Sequence, residues 1–289
     1  MSGKAQALSH GAATIVNAIA LGKGAAFGVD LWTKAEVRIT GEPHAIKGEI
    51  TTDPAENTSL IEKTVLRVLG FFGVADTFGA EVRTYSNIPI ARGLKSSSSA
   101  ANAVALATVA ALDKTLDDLL IINLGVEASF DAKVTVTGAF DDACASYFGG
   151  AVVTDNIKRK ILLKTDMLED FTVLFHVPPT KAYTHDSDLN KMKTIKPLVE
   201  IVHKEARKGN FWPALTLNGL IYSSALGYDT SVAFDVLAAG AIASGLCGKG
   251  PAVTAVVSNE NIDSVNGALQ KYEGMVIHSR LNHEKAKVL

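Results

Sequence analysis

Residues 100–112 are apolar on every side except at Asn102 and Thr108. A helix without a polar face has to be enclosed by protein, so this one segment demands a core around it on all sides. The 289-residue chain can supply that, with one large core or two lobes of roughly 100–200 residues each. Aromatic residues make up only 7%, while alanine and valine abound, so the enclosing core must be built from small side chains in close contact.

What precedes the buried segment is as informative. Pro89-Ile-Ala-Arg-Gly-Leu-Lys-Ser-Ser-Ser-Ser-Ala100 lies between an alternating stretch at 80–85 and the apolar helix. The first turn of a helix carries unpaired N–H groups and about half a positive charge. A glycine such as Gly93 lets the backbone come close to a ligand, and phosphate is the natural guest of such an end. A lone serine there is an ordinary cap. Four serines behind a glycine point to a ligand, with hydroxyls able to cap the helix, to coordinate Mg2+, or both.

Two further segments concentrate small residues. Thr137-Gly-Ala-Phe-Asp-Asp-Ala-Cys-Ala-Ser-Tyr-Phe-Gly-Gly150 sets Asp141 and Asp142 among small and apolar neighbours. Adjacent side chains on a helix or turn diverge, so one of the two carboxylates is expected to face a site, as general base or metal ligand. Ala243-Ser-Gly-Leu-Cys-Gly-Lys-Gly-Pro251 stands between an apolar segment and an alternating strand, and taken alone reads as a glycine-terminated helix followed by a loop.

Several common chemistries are excluded. The GxxxxGK[ST] phosphate loop is missing, because each Gly-Lys pair (3–4, 22–23 and 248–249) is followed by Ala or Gly. Gly22-Lys-Gly-Ala-Ala-Phe-Gly28 has the glycines of a dinucleotide-binding turn, but a strand and not a helix is expected after it. Protein-kinase HRD and DFG signatures are absent. With 28 basic against 30 acidic residues, the net charge of -2 argues against nucleic acid or an anionic membrane as partner. Two cysteines in no CxxC pair and seven histidines without metal-ligand spacing offer neither a disulfide framework nor a zinc site. No apolar run approaches the ~20 residues of a membrane span, so a soluble cytoplasmic protein is expected.

Alternation predicts strands at 35–40, at 46–50 (paired with 35–40 across a Gly-Glu-Pro turn), and at 80–85, 161–163, 171–177, 252–257 and 275–280. Helical spacing predicts helices from Asp53-Pro54 to Gly70, over 100–112, and from Thr115 to about Ser129. It predicts others over 195–208, 211–226, 231–244 and 262–272, with a polar stretch at 181–193. This mixed order argues for an α+β fold in two lobes, divided as 1–157 and 158–289.

The three small-residue segments, in this order, resemble the three motifs of the GHMP kinases, which include galactokinase, homoserine kinase, mevalonate kinase and phosphomevalonate kinase. The resemblance is closer to the archaeal-type shikimate kinases. It rests on Gly93-Leu-Lys-Ser-Ser-Ser-Ser-Ala100, on Thr137-Gly-Ala-Phe-Asp-Asp-Ala143 and on Ala12-Ala-Thr-Ile-Val-Asn-Ala-Ile-Ala-Leu-Gly-Lys-Gly-Ala-Ala-Phe-Gly28, and it spans residue 5 to beyond 257. It implies a first lobe with a left-handed βαβ unit and a ferredoxin-like second lobe. It also implies ATP- and Mg2+-dependent phosphorylation of shikimate by a monomer or homodimer. Homoserine or mevalonate as acceptor, or a non-catalytic sensor of the same fold, are the alternatives.

The same resemblance implies roles for individual residues. Phosphate contacts fall to Pro89, Ala91, Gly93, Leu94, Lys95, Ser96, Ser97, Ser98 and Ser99. A metal serine is expected among Ser97, Ser98 and Ser99, the fourth serine leaving open which hydroxyl meets Mg2+, and Asp131 fits a metal carboxylate better than Glu127. For the catalytic aspartate, the separation from Gly149-Gly150 favours Asp142 and the local Gly-x-Asp-Asp pattern favours Asp141; Asp142 is the expectation. Substrate contacts are expected from Asn17, Lys23, Arg92, Thr137 and Gly248, with Lys23, Arg92 or Lys95 as the cation for the shikimate carboxylate.

Overall fold

The computed structural model describes residues 3–179 and 189–289, so residues 181–188 of the predicted polar stretch lie outside the described residues. The chain opens with two long antiparallel strands, β1 (Lys4–Val16) and β2 (Lys23–Thr40). No strand was expected before residue 35. Ala12, Ala13, Ile15 and Val16 are all fully buried, so both faces of β1 are covered and alternation is erased from its sequence.

Next come β3 (Ile46–Ile50), α1 (Ser59–Phe71) and β4 (Gly79–Ser86). Here two expectations are corrected. β3 does not pair with residues 35–40; it lies parallel to β4, Ile46 opposite Ala80, while β4 takes the edge of β2. Parallel neighbours need a crossover, and α1 provides it, burying Ile61, Val65, Val68 and Leu69. Nor does the helix begin at Asp53: the Asp53 N–H donates back to the Ile50 carbonyl (3.2 Å), and the turns this begins delay α1 to Ser59.

α2 (Ser96–Ala111), α3 (Asp118–Asp131) and α4 (Phe140–Phe148) follow, then the hairpin β5 (Ala151–Asp155) and β6 (Lys160–Thr165). The expected lobe boundary at 157/158 falls in the turn of this hairpin. α2 is the enclosed helix that its composition demands. It packs on β1 and β2 and is ringed by α1, α3 and α4; Ala105 and Val109 join one core cluster, Ala103, Val104 and Ala107 another.

The rest comprises β7 (Thr172–Val177), α5 (Leu189–Arg207), α6 (Phe211–Leu226), α7 (Ser231–Ala238), β8 (Ala243–Leu246), β9 (Val253–Val257), α8 (Ile262–Leu269), β10 (Met275–Arg280) and β11 (Lys287–Val288). The helix predicted over 231–244 is corrected: α7 stops at Ala238, Gly240 turns the chain at φ +101°, and residues 243–246 pair with β9 instead. Glycine at 245 permits this, because a Cβ there would stand 2.9 Å from Gly219 Cα on α6.

Among the described residues the strands form two sheets. One has seven strands, in the order β11-β1-β2-β4-β3 with β5 on β2 and β6 on β5; the other runs β10-β7-β9-β8. A single core cluster spans both, holding Phe27 and Val153 of the first sheet with Phe175 and Leu246 of the second and Leu215 of α6. Among the described residues no helix is long and apolar enough to cross a membrane.

Candidate active site

The three small-residue segments, scattered over 160 positions of sequence, converge on one cleft of about 620 Å3. Its lining includes Ala91, Gly93, Lys95, Ser96 and Ser97 from the first segment, Thr137, Asp141 and Asp142 from the second, and Gly248–Gly250 from the third, with Asn17 from the end of β1. Beyond these, Ile50, Leu60 and Ile61 face Val134 and Val136.

Local backbone conformation shapes the serine end. Leu94 is buried in the core shared by the two sheets, which contributes about 2 kcal/mol and anchors the loop. Ala91, Gly93 and Lys95 all have positive φ (56°, 89° and 64°). For a non-glycine residue that costs roughly 1–2 kcal/mol. Lys95 occupies the N-cap position, and no side chain among the described residues caps α2. The first bond to Lys95 within the helix comes from the Ser99 N–H (3.2 Å), so the N–H groups ahead of it are left for something in the cleft. Gly93 touches the third segment: a Cβ there would stand 2.4 Å from the Cys247 carbonyl oxygen, and Cys247 Sγ donates to the Gly93 carbonyl over 3.1 Å.

The acid pair opens α4, whose N-cap, Ala139, is also left-handed (φ 47°) and uncapped among the described residues. Both carboxylates are buried, but in different company. Asp142 Oδ2 lies 3.0 Å from Lys95 Nζ, joining the acid segment to the serine end, while its Oδ1 is buried without a hydrogen-bond partner among the described residues. Lys95 is pulled down by burial but held above its ordinary range by the carboxylates of Asp142 and Asp141. Glycine at 248 makes room for this pair, since a Cβ would sit 2.8 Å from the ammonium nitrogen. Asp141 lies on the opposite side, against Gly24 and Asn156. Burial and the charge of Asp142 push its carboxyl up to about 7, against the opposing pull of Lys95 and a hydrogen bond from Asn156. A helix N-terminus normally lowers an acid; here desolvation outweighs it.

Other predicted residues are placed elsewhere. Asn17 and Gly248 reach the cleft but are tied to protein: the Asn17 amide donates to the Gly248 carbonyl (2.8 Å), and the Gly248 N–H donates to Thr14 Oγ1 (2.9 Å). Thr137 lines the cleft and accepts from the Ala139 N–H (3.4 Å). Pro89, Arg92, Leu94, Lys23, Ser98 and Ser99 are not among the lining residues. Arg92 donates to the Pro178 carbonyl (2.5 Å), and Lys23 pairs in register with Asp155. Ser98 is buried, and Ser99 Oγ donates to the Ser9 carbonyl (3.0 Å) in the core. The structure also holds Asp131 away from the cleft, in a two-pronged ion pair with Arg67 (2.5 and 2.6 Å) that Glu127 joins from 3.8 Å. Ser99 and Asp131 thus make these contacts within the protein, and neither lines the cleft.

Residues 59–150 match the family described as GHMP kinases N terminal domain. The chain is 43% identical over 288 residues to a shikimate kinase of Methanosarcina mazei, covering 99% of this chain and 97% of that protein. It is 42% identical over 281 residues to a shikimate kinase of Methanobrevibacter smithii, covering 95% and 96%. The chain belongs to the archaeal shikimate kinases of the GHMP family. The fold agrees: a solved mevalonate kinase of Methanococcus jannaschii superposes with a TM-score of 0.76 over 96% of this chain and 98% of that one, at 16% identity.

GHMP kinases use ATP, and the unspent end of α2 fits a phosphate group. Among the described residues no three His, Cys, Asp or Glu side chains gather as a metal cage. A cation here would rely on Ser96 or Ser97 together with phosphate oxygens, the oxygen donors that Mg2+ prefers. Sequence reasoning missed Asn156, Thr154 and the reason for Gly24. The Gly22–Gly28 segment was visible, and its dinucleotide-turn reading was excluded by the strand expected after it; the structure shows that Gly24 makes room beside Asp141.

Proposed function

We propose that this chain transfers the γ-phosphoryl group of ATP to a hydroxyl of shikimate in the cytoplasm, with Mg2+ on the phosphates. The observation that carries this reading is the Lys95–Asp142 contact, which locks the uncapped end of α2 to the acid pair across one cleft. Phosphoryl transfer needs little covalent work from a protein; it needs two substrates in line and charge neutralised. ATP supplies the phosphoryl group. The N–H groups at the start of α2 and the Lys95 ammonium face its oxygens, where charge grows in the transition state. Ser97, or Ser96 beside it, offers the hydroxyl for Mg2+. The purine finds apolar walls in Ile50, Leu60, Val134 and Val136.

For the base, the surroundings of the two carboxylates favour Asp141 over the expected Asp142. Asp142 is engaged by Lys95 at the phosphate end. Asp141 stands on the far side and titrates near neutrality, where a general base is most effective. It takes the proton of the acceptor hydroxyl as that oxygen bonds to phosphorus.

ADP release measured with ATP and shikimate, homoserine, mevalonate or galactose tests the substrate; turnover of another alcohol but not of shikimate would defeat it. Asp141→Asn should lower kcat by about 10²–10⁴ with ATP binding retained. If Asp142→Asn lowers kcat more than Asp141→Asn does, Asp142 is the base.

A further inference from the structure

The glycine turn between β1 and β2 and the end of β5 meet at Asp141. A Cβ on Gly24 would lie 2.1 Å from Asp141 Oδ2, so only glycine leaves that oxygen its place. At the other oxygen, Asn156 Nδ2 donates to Asp141 Oδ1 over 2.8 Å. The Asn156 amide is itself oriented, because its Oδ1 accepts from the Thr154 hydroxyl over 2.6 Å, which turns the NH2 group toward the carboxylate. All three side chains are buried: Thr154 is 0% exposed, Asn156 4% and Asp141 3%. The Asn156 N–H donates to the Gly22 carbonyl (3.0 Å), holding this turn beside Gly24.

We propose that Asn156, oriented by Thr154, is a positioning residue that keeps the Asp141 carboxylate ionised and in one orientation for proton abstraction. The proposal rests on the reading of Asp141 as the base. A donor to the charged form favours that form, and in a buried site the effect is large. Burial and Asp142 oppose it. Facing Asp141 from the packed elements are Asp142 and Cys144 on α4, Lys95 at the head of α2 and Tyr222 on α6. All of these stay in place in the Asn156 and Thr154 variants, so a change in pH response would trace to the lost donor.

The test is the pH dependence of kcat for the full-length protein with ATP and shikimate. In Asn156→Leu the acidic limb should move about one unit toward alkaline pH. That cuts kcat about fivefold at pH 7 and restores it by pH 9, with KM for ATP unchanged. Thr154→Val should move the limb the same way by less, and Thr154→Ser should keep the wild-type profile. An unmoved limb, or a loss that pH 9 does not recover, overturns the positioning role. If Asn156→Leu does not fold, the limb of Thr154→Val decides in its place. Asp141→Asn separates the two readings: an active variant overturns the base and the proposal together. An inactive one, with an unmoved limb in Asn156→Leu, overturns the positioning role alone.

Discussion

Three consecutive helices begin in two different ways. α3 is capped conventionally: the Asp117 side chain accepts from the Leu119 N–H (2.9 Å), and Asp118 adds an acid to the first turn. α2 and α4 start from left-handed Lys95 and Ala139, and no side chain among the described residues caps either. α3 spends its terminal N–H groups on its own stability. α2 leaves its first N–H groups to the cleft, whereas in α4 the Asp142 N–H bonds the Asp141 carboxylate; both helices start from left-handed backbone. Among the described residues α1, α6, α7 and α8 also lack a side-chain cap. What sets α2 and α4 apart is a left-handed residue at the N-cap position that lines the cleft, and a helix start so placed suits an anionic ligand.

The sharpest break in that contrast would come from Gly93. At φ +89°, with the Cys247 carbonyl oxygen 2.4 Å from any Cβ, Gly93→Val has to push the loop off the third segment. Backbone strain of roughly 1–2 kcal/mol and overpacking of about 1–3 kcal/mol are relieved by displacing the loop, which takes its backbone out of reach of the phosphates, so ATP affinity should fall in a calorimetric titration. Wild-type affinity in this variant would mean that the phosphates do not sit at α2.

A second effect separates function from stability at α4. The Asp141 carboxyl titrates at about 7 in the fold against an ordinary 3.8. The folded state therefore binds more protons than the unfolded chain between those values, and stability falls as pH rises through them. Asp141→Asn removes that loss. Its melting temperature should exceed wild type at pH 8 by several degrees, with the gap closing toward pH 4, while turnover collapses. A variant less stable than wild type at pH 8 would refute the desolvation account.

The smallest effect is the cap itself. Asp117→Ala should cost about 0.5–2 kcal/mol, seen as a melting temperature lowered by a few degrees with kcat and KM unchanged. Ser97→Ala at the uncapped end should do the reverse, lowering Mg2+-dependent turnover while leaving the melting temperature in place. If both variants act alike, the two kinds of helix end do not divide stability from function as described.

Much of the site was legible because it is written in local chemistry. Gly93, the serine run, the acid pair and the third glycine segment are each short and contiguous, and a helix that is apolar all round can only be central. Other parts were illegible for physical reasons. β1 is covered on both faces, so its alternation vanishes. β3 skipped the near hairpin and pairs with β4 across the α1 crossover, a long-range choice that local alternation does not encode. The 231–244 segment looked helical in composition, but Gly245 lies against Gly219, and close backbone contact between distant residues leaves no periodic trace.

By itself, then, the sequence determined the class of fold, a helix end suited to a phosphate group and the residue types of the candidate site. Tertiary structure alone decided which of those residues act together. It spent Ser99 on Ser9 and Asp131 on Arg67, and it paired Lys95 with Asp142. It also gave Asp141 to Gly24 and Asn156. Two adjacent aspartates are alike in sequence. They differ only through what burial and charge bring against each, and those neighbours come from strands and helices far away along the chain.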